Sequence, residues 1–371
     1  MFDENQIRTV ITAFALCGKC VHVDKYGTGL IHTTFVIHQF HDDQNVRYIL
    51  QRINKKVFKD ISALMKNIDL ITTHMMSVHE SNGNHKDNLR HLKIIRTSNN
   101  SLYHTDNKGE CWRMFPFIEN TITYDTITNG QQAYHAAHIF GSFQKSLVNF
   151  PAHLIADTII GFHDMARRFL VFKKSISDDC AGRAILCKEE IKFILAKKDI
   201  FARFSRLHHD QILPRRIVHN DTKINNVLFS KEGDSAVCVI DLDTAMAGIV
   251  ISDFGDLCRT SVNTTDENET DLTKIKIDLL LFDALVNGYL TSTRTFLTPV
   301  ERSHLLFGFK AIVLEQAMRF LTDYLDGDTY YSIDYDDQNL RRACNQIKLV
   351  QEVIANEHKM QDIINACDVK F

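Results

Sequence analysis

Between Cys20 and Ile118 apolar and polar positions alternate in short runs. Cys20–Gly27 (CVHVDKYG), Leu30–Phe40 (LIHTTFVIHQF) and Val46–Ile53 (VRYILQRI) show the period of two expected of strands with one buried face. Gly27 and Gly29 mark the turn between the first pair. Ile61, Leu64, Met65, Ile68 and Ile71 then recur at helical spacing. Asn88–Ser98 (NLRHLKIIRTS) and Glu110–Ile118 (ECWRMFPFI) read as two further strands, split by a polar stretch from Asn99 to Gly109. Ahead of all these, Ile7, Val10, Ile11 and Phe14 share one face of a short helix.

From about Thr121 the period changes to that of helices. Gln131–Asn149, Lys188–Ala202, Lys274–Leu290 and Val300–Leu325 are predicted helices, the last stopped by the turn at Asp326-Gly327-Asp328. A strand-loop-strand segment, Ile217–Leu242, interrupts them, and the polar run Ser261–Glu269 is the best candidate for a loop or disorder. The pattern predicts an α+β chain with its hinge in Met114–Glu119: residues 1–119 a sheet-rich part with an N-terminal helix, residues 120–371 a mainly helical part.

Composition sharpens this only a little. At 371 residues two folding units are the prior expectation. The balance of 43 basic against 46 acidic side chains, a net charge of −3, excludes a nucleic-acid binder that works by general basicity. A hydrophobic fraction of 44% supplies a globular core. No run reaches the length of a membrane span, and the leader of the apolar run Thr9–Cys17 carries Asp3 and Glu4, unlike a signal peptide. A soluble cytoplasmic protein is expected. The nine scattered cysteines give no disulfide framework, and Cys17-Gly-Lys-Cys20 is a lone CxxC without a second half.

The chemistry concentrates in His219-Asn-Asp221-Thr-Lys223-Ile-Asn-Asn226-Val-Leu-Phe229, followed by Ile240-Asp241-Leu-Asp243. Asp221, on a tight loop entering a strand, is placed to accept a hydroxyl proton. Asn226 and Asp241 offer hard oxygens to one metal ion, and Lys223 offsets charge on a moving phosphoryl group. Asp243 is a further metal candidate, equally readable as a loop-capping carboxylate.

HxDxxxxN followed by IDxD resembles the aminoglycoside phosphotransferase and choline kinase superfamily. Tyr48–Asn54, Trp112–Glu119, Phe162-His163-Asp164 and Glu315–Leu325 are similar to the N-acetylhexosamine 1-kinase group, over about residues 20–355. The resemblance implies a protein-kinase-like two-lobed fold, with a small antiparallel-sheet N-lobe and a larger mainly helical C-lobe. It implies ATP and Mg2+ as cofactors and phosphorylation of the anomeric hydroxyl of N-acetylglucosamine or N-acetylgalactosamine. Asp221 matches the family's catalytic base, and Asn226 and Asp241 its metal ligands. Asp253, in Ser-Asp-Phe-Gly, matches an acid that anchors the catalytic loop, so the position of the protein-kinase metal carboxylate falls to Asp241.

On the nucleotide side, Gly27 and Gly29 would let backbone N–H groups approach phosphates; a simple hairpin turn is the alternative. Leu30–Thr34 departs from the family's His-Ile-Asn-Asp-Thr run. Arg52 falls where kinases place a phosphate-binding lysine, or else faces solvent from its strand. Phe115 and Phe117, on the hinge segment, are nucleotide-contact candidates. The following helix offers Asp60, Asp69 or Glu80 as an acidic partner. For the acceptor, Glu315, Arg319 and Asp323 share one helix face, as a polar stripe for sugar hydroxyls or as an ion-pair ladder. His163, Asp164 and Tyr324 join Arg319 as substrate-contact candidates, with a core role the alternative for the tyrosine. Kinases of another sugar, an amino alcohol or an aminoglycoside are the rival enzymes; a nucleotide-binding pseudokinase is the rival from another class. The mixed arginine and acid stripe favours a neutral sugar.

Overall fold

A computed structural model describes residues 4–16, 18–27, 31–42, 44–81, 89–233 and 235–369. The helix α1 (Glu4–Ile11) precedes three strands, β1 (Lys19–Lys25), β2 (Thr33–His41) and β3 (Gln44–Arg52). The long helix α2 (Ile61–Ser81) then leads to β4 (His104–Thr105) and β5 (Cys111–Pro116). These strands form one antiparallel sheet in the order β1-β2-β3-β5-β4.

Alternation divides the residues of this sheet between two faces. Phe35, Ile37, Leu50, Trp112 and Met114 point to one face, where Ile7, Val10 and Ile11 of α1 and the following Phe14 cover them. Val36, Ile49 and Phe115 point to the other, toward α2 and the main core. The register pairs Thr33 with Arg52 and Arg52 with Trp112, so these three share the α1 face. Thr34, Gln51 and Arg113 pair in the same way on the opposite face.

The chain leaves this sheet between Phe117, whose N–H donates to Arg47 O at 2.9 Å, and β6 (Thr121–Ile122), which pairs with β8 (Val227–Ser230). Helices α3 (Gly130–Ser146), α4 (Met165–Asp178), α5 (Lys188–Leu195) and α6 (Lys198–His209) lead to β7 (Arg216–Val218). After β8 come β9 (Ala236–Val239), β10 (Met246–Gly248) and the helices α7 (Val250–Ser261), α8 (Leu279–Thr293), α9 (Pro299–Ser303), α10 (Leu305–Leu325), α11 (Gln338–Ala355) and α12 (Glu357–Val369). Strands β6, β8 and β9 form a three-stranded sheet, and β7 pairs with β10.

Helix α10 is the buried spine of the helical part, with Phe309, Val313, Leu314, Ala317, Met318 and Leu321 at 0% exposure. It crosses α7 at two glycines. A Cβ on Gly308 would stand 2.3 Å from Ile251 O, and one on Gly255 would stand 2.6 Å from Gly308 O. The close backbone approach therefore requires both glycines.

Some predicted segments differ from the structure. Asn88 lies outside the described residues, and residues 89–98 form no strand; Ile95 N–H donates to Met114 O at 2.9 Å, but Arg90 N–H donates to Val237 O at 2.7 Å, so the segment crosses from one sheet toward another. Lys188–Ala202 is broken between Leu195 and Lys198. The helix predicted from Val300 is interrupted at His304, because Thr298 and Glu301 close a capping box for the short α9. The polar run Ser261–Glu269 is a loop after the last residue of α7, as expected, and is pinned to α11, where Asn345 Nδ2 donates to Asp266 O and Glu269 O at 3.0 and 3.2 Å. No helix among the described residues is long and apolar enough to cross a membrane.

Candidate active site

The loop His219–Asn226 connects β7 to β8 and is held from beneath by α7. Asp253 accepts the backbone N–H groups of His219 at 2.8 Å and Asn220 at 2.7 Å, and the Gln144 amide at 2.8 Å. Its neighbour one turn on, Asp256, accepts Thr222 N–H at 2.9 Å. These bonds let Asn220 occupy the left-handed region at φ 64°, a conformation that costs a non-glycine residue energy and persists only where neighbours over-determine it. His219 donates from Nε2 to Ile240 O at 3.0 Å and accepts Asp221 N–H on Nδ1 at 3.3 Å, tying the loop to the end of β9.

Asp221 emerges from this scaffold partly exposed. Its Oδ2 accepts the Asn226 amide at 2.8 Å and meets the Lys223 ammonium at 3.0 Å. Burial pushes the Asp221 carboxyl up, but Lys223, His219 and Asn226 together outweigh burial and hold it below the usual range. Asp221 is therefore an ionised acceptor at neutral pH. The amide nitrogen of Asn226 also donates to Asp221 O at 2.9 Å, which leaves its Oδ1 for another partner.

Asp241 closes the same site. It sits in the left-handed region at φ 62° and ψ 59°, at the start of a single 3-10 turn. Burial first, and then the negative charges of Asp243 and Asp221, push its carboxyl above the usual range. A carboxylate crowded by other acids gains from a cation, and Asn226 Oδ1 with Asp241 is the hard-oxygen pair that Mg2+ favours. The donor chemistry fits the ion. Among the described residues no group of three or more His, Cys, Asp or Glu side chains could hold a metal ion.

Asp243 is differently engaged. It is 3% exposed, and its two oxygens are bound by Arg113, through Nη1 and, at 3.0 Å, through Nη2, with His32 Nε2 on the same Oδ2. Its carboxyl is held well below the usual range; burial acts against this and is outweighed by Arg113 and His32. Both oxygens thus already have hydrogen-bond partners. Arg113 and His32 had no functional assignment from the sequence.

The nucleotide-side residues are scattered. Gly27 has φ 73° and open space where a side chain would be; Gly29 lies outside the described residues. Arg52 is on the α1 face with Trp112, and its Nη2 lies 3.4 Å from Thr33 Oγ1. The side chains on the face toward Asp243 are Gln51 and Arg113, joined by Arg113 Nε to Gln51 Oε1 at 2.9 Å. One step of strand parity separates the expected cation from the observed one. Phe115 lies under the Arg113 guanidinium at 5.3 Å, and Phe117 is stacked by Arg47 at 3.8 Å. Of the expected acids on α2, Asp69 is bound by Arg96 at 2.8 Å and Asp60 caps the helix through Ala63 N–H at 2.9 Å.

The acceptor-side residues divide into two groups. Arg319 has one hydrogen bond, from Nη1 to Gln316 Oε1 at 3.0 Å, and its guanidinium stands 5.5–5.9 Å from the rings of Phe162, Tyr330 and Tyr331. Glu315 beside it meets His163 Nδ1 at 2.6 Å and forms an ion pair with Arg168 at 2.9 Å, while its Oε1 has no hydrogen-bond partner among the described residues. Asp323 accepts the N–H groups of Thr329, Tyr330 and Tyr331 at 2.8–2.9 Å, and so builds the wall that faces Arg319. His163 and Asp164 line a cavity of about 200 Å³ with Phe204, Arg215, Asn220 and Gly248, and Asp164 also caps α4 through Arg167 N–H. Tyr324 faces neither. It is wholly buried, over Arg183, with its hydroxyl donating to Asp337 at 3.0 Å, and its hydroxyl is pushed up to about 12, chiefly by burial. The core alternative describes it.

Residues 36–282 match the model of the phosphotransferase enzyme family. The chain belongs to that family. Solved structures share its fold across nearly the whole length. An aminoglycoside phosphotransferase from Alicyclobacillus acidocaldarius aligns with a TM-score of 0.58 at 13% identity, covering 100% of this chain and 96% of the other. Choline kinase from Cryptosporidium parvum Iowa II aligns at 0.57 and 15%, covering 96% and 97%. A spectinomycin phosphotransferase in complex with ADP and spectinomycin aligns at 0.56 and 13%, covering 96% and 99%. The protein is thus an α+β phosphotransferase-family enzyme of protein-kinase-like fold, an N-terminal antiparallel sheet followed by a mainly helical region.

Proposed function

We propose that this enzyme is an ATP-dependent kinase that phosphorylates the anomeric hydroxyl of an N-acetylhexosamine, giving the sugar 1-phosphate. The observation behind the kinase reading is the Asp221–Asn226–Lys223 cluster beside Asp241. An ionised carboxylate, an amide oxygen left for a partner and a second carboxylate in need of a cation meet on one anchored loop pair. Asp221 orients the acceptor hydroxyl and takes its proton, while Lys223 offsets charge that develops on the transferring group. Asn226 and Asp241 would hold Mg2+, which supplies charge neutralisation to the phosphates. Ile118 N–H, without a partner among the described residues, is the donor an adenine ring nitrogen would take. In this reading residues 1–119 and 120–371 are the two lobes around the nucleotide.

The acceptor assignment draws on the surroundings of Arg319. A guanidinium without a carboxylate partner, with Arg168 nearby, repels a cationic amino alcohol or aminoglycoside. Aromatic faces and unused N–H donors suit a neutral sugar bearing an acetamido carbonyl. The test is ADP release with Mg-ATP over free hexoses, N-acetylhexosamines, choline and aminoglycosides. Turnover confined to N-acetylhexosamines is expected; turnover with non-sugar acceptors alone overturns the sugar and leaves the kinase.

A further inference from the structure

Resting on the nucleotide-binding half of the proposed function, one feature of the cleft goes beyond it. The cleft face of the sheet carries a buried cation, Arg113 at 2% exposure, and α2 sends it no carboxylate, since Asp69 and Asp60 are engaged elsewhere. Its partner comes from across the cleft. We propose that Arg113, Asp243 and His32 form a clasp that fixes the sheet against the Asp241 turn, with Asp243 a positioning residue for Asp241 rather than a cation ligand.

Each arm of the clasp is determined by its own hydrogen bonds. His32 accepts Asn54 N–H on Nδ1 at 3.1 Å, so the hydrogen it directs at Asp243 is on Nε2. Arg113 donates from Nε to Gln51, and Gln51 in turn donates to Thr34 Oγ1 at 3.1 Å, so the guanidinium is anchored to β2 and β3 as well as to its own strand. On the opposite side Thr158 Oγ1 donates to Asp243 O at 2.9 Å. Asp243 is therefore held through its carboxylate by the sheet and through its backbone by the helical part.

The consequence falls on Asp241. One residue, Leu242, separates the two aspartates, within one 3-10 turn that begins at a left-handed residue. A turn that short has no slack, so moving Asp243 moves Asp241. Charges buried this deeply are strongly interdependent: loss of one partner leaves the other without compensation, whereas loss of both restores neutrality.

The experiment measures ADP binding by calorimetry at fixed and at varied Mg2+, for the unsubstituted protein, Asp243→Asn, Arg113→Met and the double variant. Each single variant is expected to bind Mg-ADP at least tenfold more weakly. The Mg2+ concentration for half-saturation should rise in both single variants alike, because each displaces Asp241, and the double variant should be no weaker than the worse single. A tenfold rise in that Mg2+ requirement for Asp243→Asn with none for Arg113→Met makes Asp243 a cation ligand and overturns the clasp. Additive losses, or no loss, overturn it as well. If the single variants fail to fold, His32→Ala, which keeps the ion pair, decides: weaker Mg-ADP binding supports the clasp and unchanged binding overturns it. Failure of the unsubstituted protein to bind Mg-ADP would instead sink the kinase reading.

Discussion

Lys223 and Asp221 face each other at 3.0 Å, and the lysine is a main reason that the carboxyl lies below its usual range despite burial. Removing the lysine should therefore raise Asp221. If the reaction needs Asp221 ionised, activity in Lys223→Met fails at higher pH than in the unsubstituted enzyme. The acid limb of a kcat/KM profile should move upward. An unmoved limb would separate Asp221 from the proton-transfer step.

Asp221→Asn keeps the shape of the loop and one oxygen for Asn226 but removes the base. Turnover should fall by at least about 10²-fold, while Mg-ADP affinity stays within threefold. Rates comparable to those of the unsubstituted enzyme would end the assignment of Asp221.

Arg52 and Gln51 are adjacent but face opposite ways. Arg52→Ala should change Mg-ADP affinity less than threefold, and Gln51→Ala, which loosens Arg113, should weaken it more. Titration of both variants checks the parity argument directly, and the reverse order would return Arg52 to the nucleotide.

Glu315 is 2% exposed, and its carboxyl lies below its ordinary value of 4.5, since His163, Arg168 and Arg319 outweigh the effect of burial. A depressed carboxyl contributes stability that is complete above its unfolded value and is lost as pH falls through the native one. Glu315→Gln should cost about 3–5 kcal/mol at neutral pH by leaving Arg168 unpaired. Urea unfolding at pH 7 and below pH 4 tests this: the gap between variant and unsubstituted protein should narrow in acid.

Gly308→Ala places a methyl 2.3 Å from Ile251 O. Helices α7 and α10 would have to separate, at a cost of about 1–3 kcal/mol. Because α7 also carries Asp253 and Asp256, the loss of stability should come with reduced activity.

The parts of this architecture written in local pattern were legible. Alternation around Ile37 and Leu50 gave the strands, and the spacing of Ile61, Leu64 and Ile68 gave α2. What pattern could not supply was partnership. Residues 89–98 have strand-like composition, but their backbone is divided between two sheets, a fact of tertiary geometry. Within the motif, Asp241 and Asp243 look alike in sequence and differ through Arg113 and His32, respectively 130 and 211 positions away. Arg52, expected to meet phosphates, lies on the α1 face, because one residue of strand register turns a side chain to the other face.

The sheet has two apolar supports of unequal size. Its inner face shares the large core with α2, α3 and α10, whereas its outer face depends on a small separate cluster under α1. Regions with few buried contacts open at lower free energy than the molecule as a whole. The N-terminal helix can thus detach as a unit while the loop around Asp221 keeps its hydrogen bonds. Amides of β1 and β2 should exchange with solvent well before those of α7, and heating should loosen the roof of the cleft before its floor.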